Sequence, residues 1–156
     1  MISIQRPAQA ALEIDTLLID LEGTLAADGR IHPKAKDKIN LLSKRVKIYI
    51  FLKDRREKIE ERLRTVKAER IYLETGGSTQ GKLDLLRKLD PQRTVVIGNG
   101  VDDGPLFEEA GFSICVIGRE GASGEALRKA DLVVTDILHG LDFLLKPLRQ
   151  QATLGQ

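Results

Sequence analysis

A chain of 156 residues is the length of one domain, and 42% hydrophobic with 31% charged residues is the mix of an ordinary globular protein rather than a disordered one. Lys and Arg number 25 against 23 Asp and Glu, and the resulting +2 falls short of the excess with which proteins grip nucleic-acid phosphates. Aromatics at 4%, with no Trp, make no base-stacking platform, and a single Cys excludes an internal disulfide or a cysteine-rich zinc site.

The opening stretch MISIQRPAQAALEI lacks a basic segment followed by an apolar core, so it does not read as a signal peptide. Ile2 and Ile4 flank a polar position and suit a short edge strand before Arg6-Pro7. Residues 11–21 end in a buried strand. Pro33 fits a first helical position, with Ile39, Leu42 and Val46 as the apolar stripe. Residues 46–52, VKIYIFL, form the second main strand. Asp54 and Glu57 then resemble an N-cap pair for a helix carrying Ile59, Leu63 and Val66.

A short strand at 69–73 leads to the turn ETGGS and a helix with Leu83, Leu86 and Leu89, stopped by Asp90-Pro91. TVVIG at 94–98 is the next strand, and Pro105 opens a helix that Gly111 ends. FSICVIG is a strand and GREGASG a loop before a helix to Lys129. DLVVTD is the last strand, and Leu138, Leu141 and Leu145 mark a final helix ending near Pro147. QQATLGQ reads as a frayed tail. Strands that are apolar throughout, alternating with helices, predict a doubly wound parallel α/β domain over residues 1–150, with 151–156 as a flexible tail. No apolar run approaches the roughly 18 residues of a membrane span. The expectation is a cytoplasmic protein with neither a membrane nor a nucleic-acid partner.

In such folds ligands bind at the carboxyl ends of the strands. The first main strand ends Ile19-Asp20-Leu21-Glu22-Gly23-Thr24. An Asp there can attack phosphorus or bind a metal, Glu22 can protonate a leaving oxygen, and Gly23 makes a sharp turn whose amides can meet a phosphate. The plain alternative is a turn, since Asp and Gly are common after strands. A later strand ends Gly98-Asn99-Gly100-Val101-Asp102-Asp103-Gly104-Pro105, where paired acids suit a hard cation such as Mg²⁺ or else cap the helix that follows. Lys82 sits near a helix start, where a cation is unfavourable unless it neutralises an anion.

The order of these three features resembles the haloacid dehalogenase (HAD) superfamily, and more narrowly its soluble P-type-ATPase-like members. Val116 through Ala122 and the Ala130–Val134 stretch also have counterparts there, so the resemblance spans nearly the whole chain. It implies a Mg²⁺-dependent phosphohydrolase in which Asp20 forms an aspartyl-phosphate and Glu22 acts as general acid/base and offers its backbone carbonyl to the metal. Lys82 would hold the nucleophile and phosphate, and Asp103 would be the acidic metal ligand, with Asp102 and Asn99 behind it.

Two departures from the family pattern matter most. Glu22 stands where an Asp is usual, and the Ser or Thr expected after the second strand is replaced by Leu52 or Lys53, of which only Lys53 could hold a phosphate. Asn99 replaces an acid common in the family. These departures leave a slow or specialised phosphatase beside a non-catalytic binding or regulatory domain that keeps its metal site. A receiver domain fits less well, because the third strand ends Tyr72-Leu73-Glu74 without an Asp. There is no room for a cap domain, and DGRIHPKAK is only a short loop. An open site of this kind suits a large phosphorylated substrate or closure by a neighbouring subunit in a homo-oligomer. His32 reads as a helix cap or loop end, His139 as packing or surface, and Cys115 as core.

Overall fold

The computed structural model describes residues 1–53, 57–73 and 78–155, the side chains of residues 57 and 78 excepted. In chain order the strands are β1 (Ile2–Ile4), β2 (Leu12–Ile14), β3 (Thr16–Asp20), β4 (Ala26–Ala27) and β5 (Arg30–Ile31). Then come α1 (Pro33–Leu42), β6 (Lys47–Leu52), α2 (Glu57–Leu63), β7 (Glu69–Tyr72) and α3 (Ser78–Lys88). The rest of the chain forms β8 (Thr94–Gly98), α4 (Gly104–Glu109), β9 (Phe112–Val116), α5 (Gly124–Lys129), β10 (Leu132–Val134), α6 (Ile137–Leu145) and α7 (Pro147–Leu154).

Six strands make one parallel sheet in the order β10-β9-β8-β3-β6-β7. The chain runs outward from β3 through β6 and β7, then returns to the other side of β3 for β8, β9 and β10. The crevice where the direction of winding reverses therefore opens beside the carboxyl end of β3.

Alternation along the strands divides the core into two layers. Leu17 and Ile19 of β3 belong with Ala35, Ile39 and Leu42 of α1, Leu63 of α2 and Leu141 of α6. Leu18 belongs with Phe51 of β6, Leu83 and Leu86 of α3, Phe107 of α4 and Ala126 of α5. All five residues of β3 are buried, which is why it reads as an apolar run rather than an alternating one. Each fully buried Leu or Ile contributes about 1.5–3 kcal/mol. By the same alternation Asp20 has the parity of Leu18, so its side chain leaves the sheet toward α3.

Ile2–Ile4 is the short edge strand expected, and it pairs antiparallel with Leu12–Ile14 as a separate two-stranded sheet, with Ile4 and Ile14 fully buried. Two expectations change. DGRIHPKAK is more than a loop, because β4 and β5 form a small hairpin around Asp28-Gly29, both at positive φ. The segment read as a frayed tail is helical to Leu154. Gln150 anchors that helix: it is 1% exposed, and its amide donates to the Phe143 carbonyl at 3.1 Å and accepts from the Gln5 N–H at 3.4 Å. Two helices are also shorter than their apolar stripes, since α1 stops at Leu42 and α2 at Leu63, although Val46 and Val66 are buried beyond them. The proposed cap at Asp54 and the turn at residues 74–77 lie outside the described residues. Between β3 and the end of the sheet no cap domain is inserted among the described residues, and none of their helices is long and apolar enough to cross a membrane.

Candidate active site

The ends of β3 and β8 bring two buried carboxylates together around one ammonium. Asp20 is the last residue of β3, and Asp103 follows β8 in a short helical turn at Val101–Asp103. Lys82 comes from the second turn of α3. It lies one helical turn before Leu86, so it shares the buried face of that helix and has no exposed surface. Its Nζ is 2.8 Å from Asp103 Oδ1, 3.2 Å from Asp20 Oδ1 and 3.6 Å from Asp102 Oδ2. The same ammonium stands 5.5 Å from the centre of the Phe51 ring, a contact the sequence did not point to.

Burial pushes the Asp20 carboxyl well above the ordinary carboxylate range, and the charges of Asp103 and Glu22 add to this against the opposing pull of Lys82. Burial alone would lower the Lys82 pKa, but Asp103 and Asp20 outweigh it and hold the ammonium above the usual lysine range. The other oxygen of Asp103 accepts from the N–H groups of Asn99 and Gly100, both at 3.0 Å. Asp103 occupies the N-cap position of α4 without making a capping bond through its side chain, so the capping alternative does not describe it. This carboxylate lies so close to Gly98 that a Cβ there would meet Asp103 Oδ2 at 2.3 Å, which explains a glycine at the end of β8.

Asp102 links the cluster to the end of β6. Its Oδ2 accepts from Lys53 Nζ at 3.0 Å, tying the residue after β6 to the loop after β8. Burial would raise this carboxyl, but Lys53 and Lys82 bring it below the ordinary value. Leu52 is fully buried in the core, which leaves Lys53 as the residue at the expected hydroxyl position that reaches the site.

The turn after β3 closes on the first residue of β4. The Gly23 N–H donates to the Ala26 carbonyl at 2.9 Å, so the amide expected to meet a phosphate is used in closing this turn instead. Gly23 has φ +75°, and a Cβ on it would meet Asn99 Nδ2 at 2.5 Å and Glu120 Oε2 at 2.7 Å. Asn99 is the junction of three loops. Its amide accepts from Thr24 Oγ1 at 3.2 Å and donates to the Gly121 carbonyl at 3.3 Å, a pair of roles that an Asp could not fill. Thr24 and Glu120 were not singled out from the sequence as site residues; Gly23, with no side chain between them, was the available signal.

Glu22 is not gathered into the Asp20–Lys82–Asp103 cluster. Both its carboxylate oxygens are buried without a hydrogen-bond partner among the described residues, and it lines a small cavity with Ile31, Ile59, Arg62 and Glu120. A larger groove of about 650 Å³ runs between the hairpin and the loops after β9 and β10, lined by Thr24, Arg30, His32, Arg119, Glu120 and Asp136 among others, but not by Asp20, Lys82 or Asp103. His32 caps α1, its Nδ1 accepting from the Lys34 N–H at 3.0 Å, and Cys115 is buried in the core.

Among the described residues no group of three or more His, Cys, Asp or Glu side chains is assembled as a metal cage. The donor set nevertheless fits Mg²⁺, which binds through one or two carboxylates and takes its other ligands from water and phosphate. Asp20 and Asp103 supply two hard oxygen donors on adjacent strand ends, and with Asp102 nearby the carboxylates outnumber the buried Lys82.

No protein-family model matches the chain. An uncharacterized protein from Methanocaldococcus jannaschii is 43% identical over 72 residues, which cover 46% of this chain and 77% of that protein, so the chain belongs to one family with it. A soluble P-type ATPase-like phosphatase from the same organism is 27% identical over 140 residues, covering 88% of this chain. The chain spans only about half of that phosphatase, 51% of its length. Among solved structures, a HAD family hydrolase from Streptomyces avermitilis superimposes with a TM-score of 0.69 at 22% identity, covering 87% of each chain. The 3-deoxy-D-manno-octulosonate 8-phosphate phosphatase of Moraxella catarrhalis, solved with magnesium, phosphate and the sugar KDO, gives 0.71 at 16% identity, covering 90% of this chain and 89% of that one.

Proposed function

We propose, from a fold like that of HAD-family hydrolases and with no cap domain among the described residues, that the chain is a Mg²⁺-dependent phosphohydrolase acting on a phosphomonoester. One observation carries the reading: Lys82, fully buried, joins Asp20 and Asp103 across the two strand ends that flank the topological switch. A buried ammonium between two carboxylates is costly to assemble, and a fold needs nothing of the kind for stability. It is a suitable arrangement for positioning a nucleophile and neutralising charge, which is most of what phosphoryl transfer requires.

In this reading the Asp20 carboxylate attacks phosphorus, the ester oxygen leaves with a proton, and water then releases phosphate from Asp20. Lys82 orients Asp20 and neutralises charge on the phosphate. Bound Mg²⁺, held by Asp20, Asp103 and the Glu22 backbone carbonyl, would supply further charge neutralisation at the phosphate oxygens. Glu22 gives the proton to the leaving oxygen and takes one from the attacking water, after its side chain turns out of the cavity beneath the hairpin. Lys53 replaces the usual hydroxyl as a phosphate contact. Gly23 serves the turn rather than the phosphate.

The placement of Glu22 favours a second reading, a binding or regulatory domain whose turnover has been lost while its metal site remains. Hydrolysis of an aryl phosphate with Mg²⁺, wild type beside Asp20→Asn, separates the two. The phosphohydrolase reading expects turnover that falls at least about 10³-fold in the variant. Absence of turnover on aryl phosphate and on a panel of phosphorylated metabolites, with Mg²⁺ still bound, would leave the binding domain.

A further inference from the structure

The two lysines of the site converge on a single oxygen. Asp102 Oδ2 lies 3.0 Å from Lys53 Nζ and 3.6 Å from Lys82 Nζ, although the lysines come from different elements, one after β6 and one from α3. Their surroundings differ. Lys82 is fully buried and also held by Asp20 and Asp103, whereas the Lys53 side chain is 52% exposed and, among the described residues, its ion pair is with Asp102. Lys82 is therefore a fixed charge. Lys53 is a mobile one, on a flexible stem, in a partly solvated pair that is easily exchanged.

We propose that Asp102 is a positioning residue that holds Lys53 at the mouth of the site and hands its ammonium to the arriving phosphate dianion. The inference rests on the phosphohydrolase reading and adds to it a means by which the site selects the charge of the phosphate. A serine or threonine hydroxyl donates one neutral hydrogen bond to an esterified phosphate of either charge. An ammonium that must leave a carboxylate does so only for a stronger anion, so the exchange favours the dianion of a terminal monoester over the monoanion of a diester. Asp102 also keeps two like charges close together until the phosphate arrives, since its one oxygen is shared between both ammonium groups.

The test is a double-mutant cycle on phosphate affinity. Binding of inorganic phosphate to the full chain, with Mg²⁺ present, is measured by titration calorimetry for wild type, Lys53→Ala, Asp102→Asn and the double variant. Lys53→Ala is expected to weaken binding about tenfold or more, and its exposed position spares the fold. Asp102→Asn is expected to tighten binding severalfold when Lys53 is present, and to lose most of that gain in the Lys53→Ala background. An equal gain in both backgrounds would mean that Asp102 acts by its own charge and not through Lys53, and would overturn the proposal. So would Lys53→Ala binding phosphate as tightly as wild type, which needs no Asp102 variant to fold. Both outcomes leave the phosphohydrolase reading standing, whereas a wild-type protein that neither binds phosphate nor hydrolyses a monoester overturns that reading and this one together.

Discussion

Lys82 Nζ lies 2.8 Å from Asp103 Oδ1, and the two side chains are respectively 0% and 2% exposed. An ion pair so deeply buried cannot be halved cheaply, because the remaining charge is left in the interior without its counter-ion. Lys82→Met keeps the length of the side chain but leaves Asp20 and Asp103 facing each other unneutralised. It is expected to destabilise the protein by about 3–5 kcal/mol at neutral pH, read from urea unfolding, as well as to remove activity.

Asp103→Asn tests the metal assignment. The substituted amide must turn an N–H toward Lys82 or toward the Asn99 and Gly100 amides, all of which are donors. Mg²⁺ affinity, measured by calorimetry, is expected to fall about tenfold or more. Unchanged affinity would locate the metal elsewhere.

Gly23→Ala puts a methyl group where Asn99 and Glu120 already stand and forces a side chain into a left-handed conformation. The expected cost is about 1–3 kcal/mol in unfolding free energy. Activity should fall further than stability explains, because the same turn carries Asp20 and Glu22. Activity equal to wild type in the folded variant would show that the turn tolerates displacement.

Asp142 offers a pH prediction away from the site. Burial would raise its carboxyl, but the 2.5 Å bond from Lys38 and the charges of Lys146 and Arg149 bring it below the ordinary value. A depressed carboxyl stabilises the fold at pH values above its unfolded pKa, near 4, and the stabilisation disappears as pH falls through the lower folded value. Asp142→Asn is expected to cost about 1–3 kcal/mol at pH 7, and the gap from wild type should close below about pH 4. A gap that stays constant across that range would mean that the charge of Asp142 contributes nothing.

Much of the architecture was legible in the order of residues. Strands buried on both faces are apolar runs, and helices lying on them carry apolar residues at spacings of three and four, so β3, β6, β8 and β9 and most of the helices stand out. Elements that hold little core of their own left no such signal. The β4–β5 hairpin rests on two-residue strands, and α7 is polar apart from a few positions, with its anchor a buried glutamine rather than a leucine.

The site divides in the same way. Asp20, Lys82 and Asp103 were readable because each type of residue is out of place by local rules: an acid closing an apolar strand, a cation near the start of a helix, paired acids after a strand. Their convergence, and the roles of their neighbours, belong to the tertiary structure. Whether Gly23 offers its N–H outward depends on Ala26 at the far end of the same turn, and the orientation of Glu22 depends on the cavity formed with Ile31, Ile59 and Arg62. Whether Lys53 meets water or Asp102 depends on a loop about fifty residues later in the chain. By itself the sequence determined the strand ends and the chemical groups they carry, since backbone periodicity and side-chain type are local properties. Only the folded chain decided which of those groups face one another, because hydrogen bonds and charges act through distances that packing alone sets.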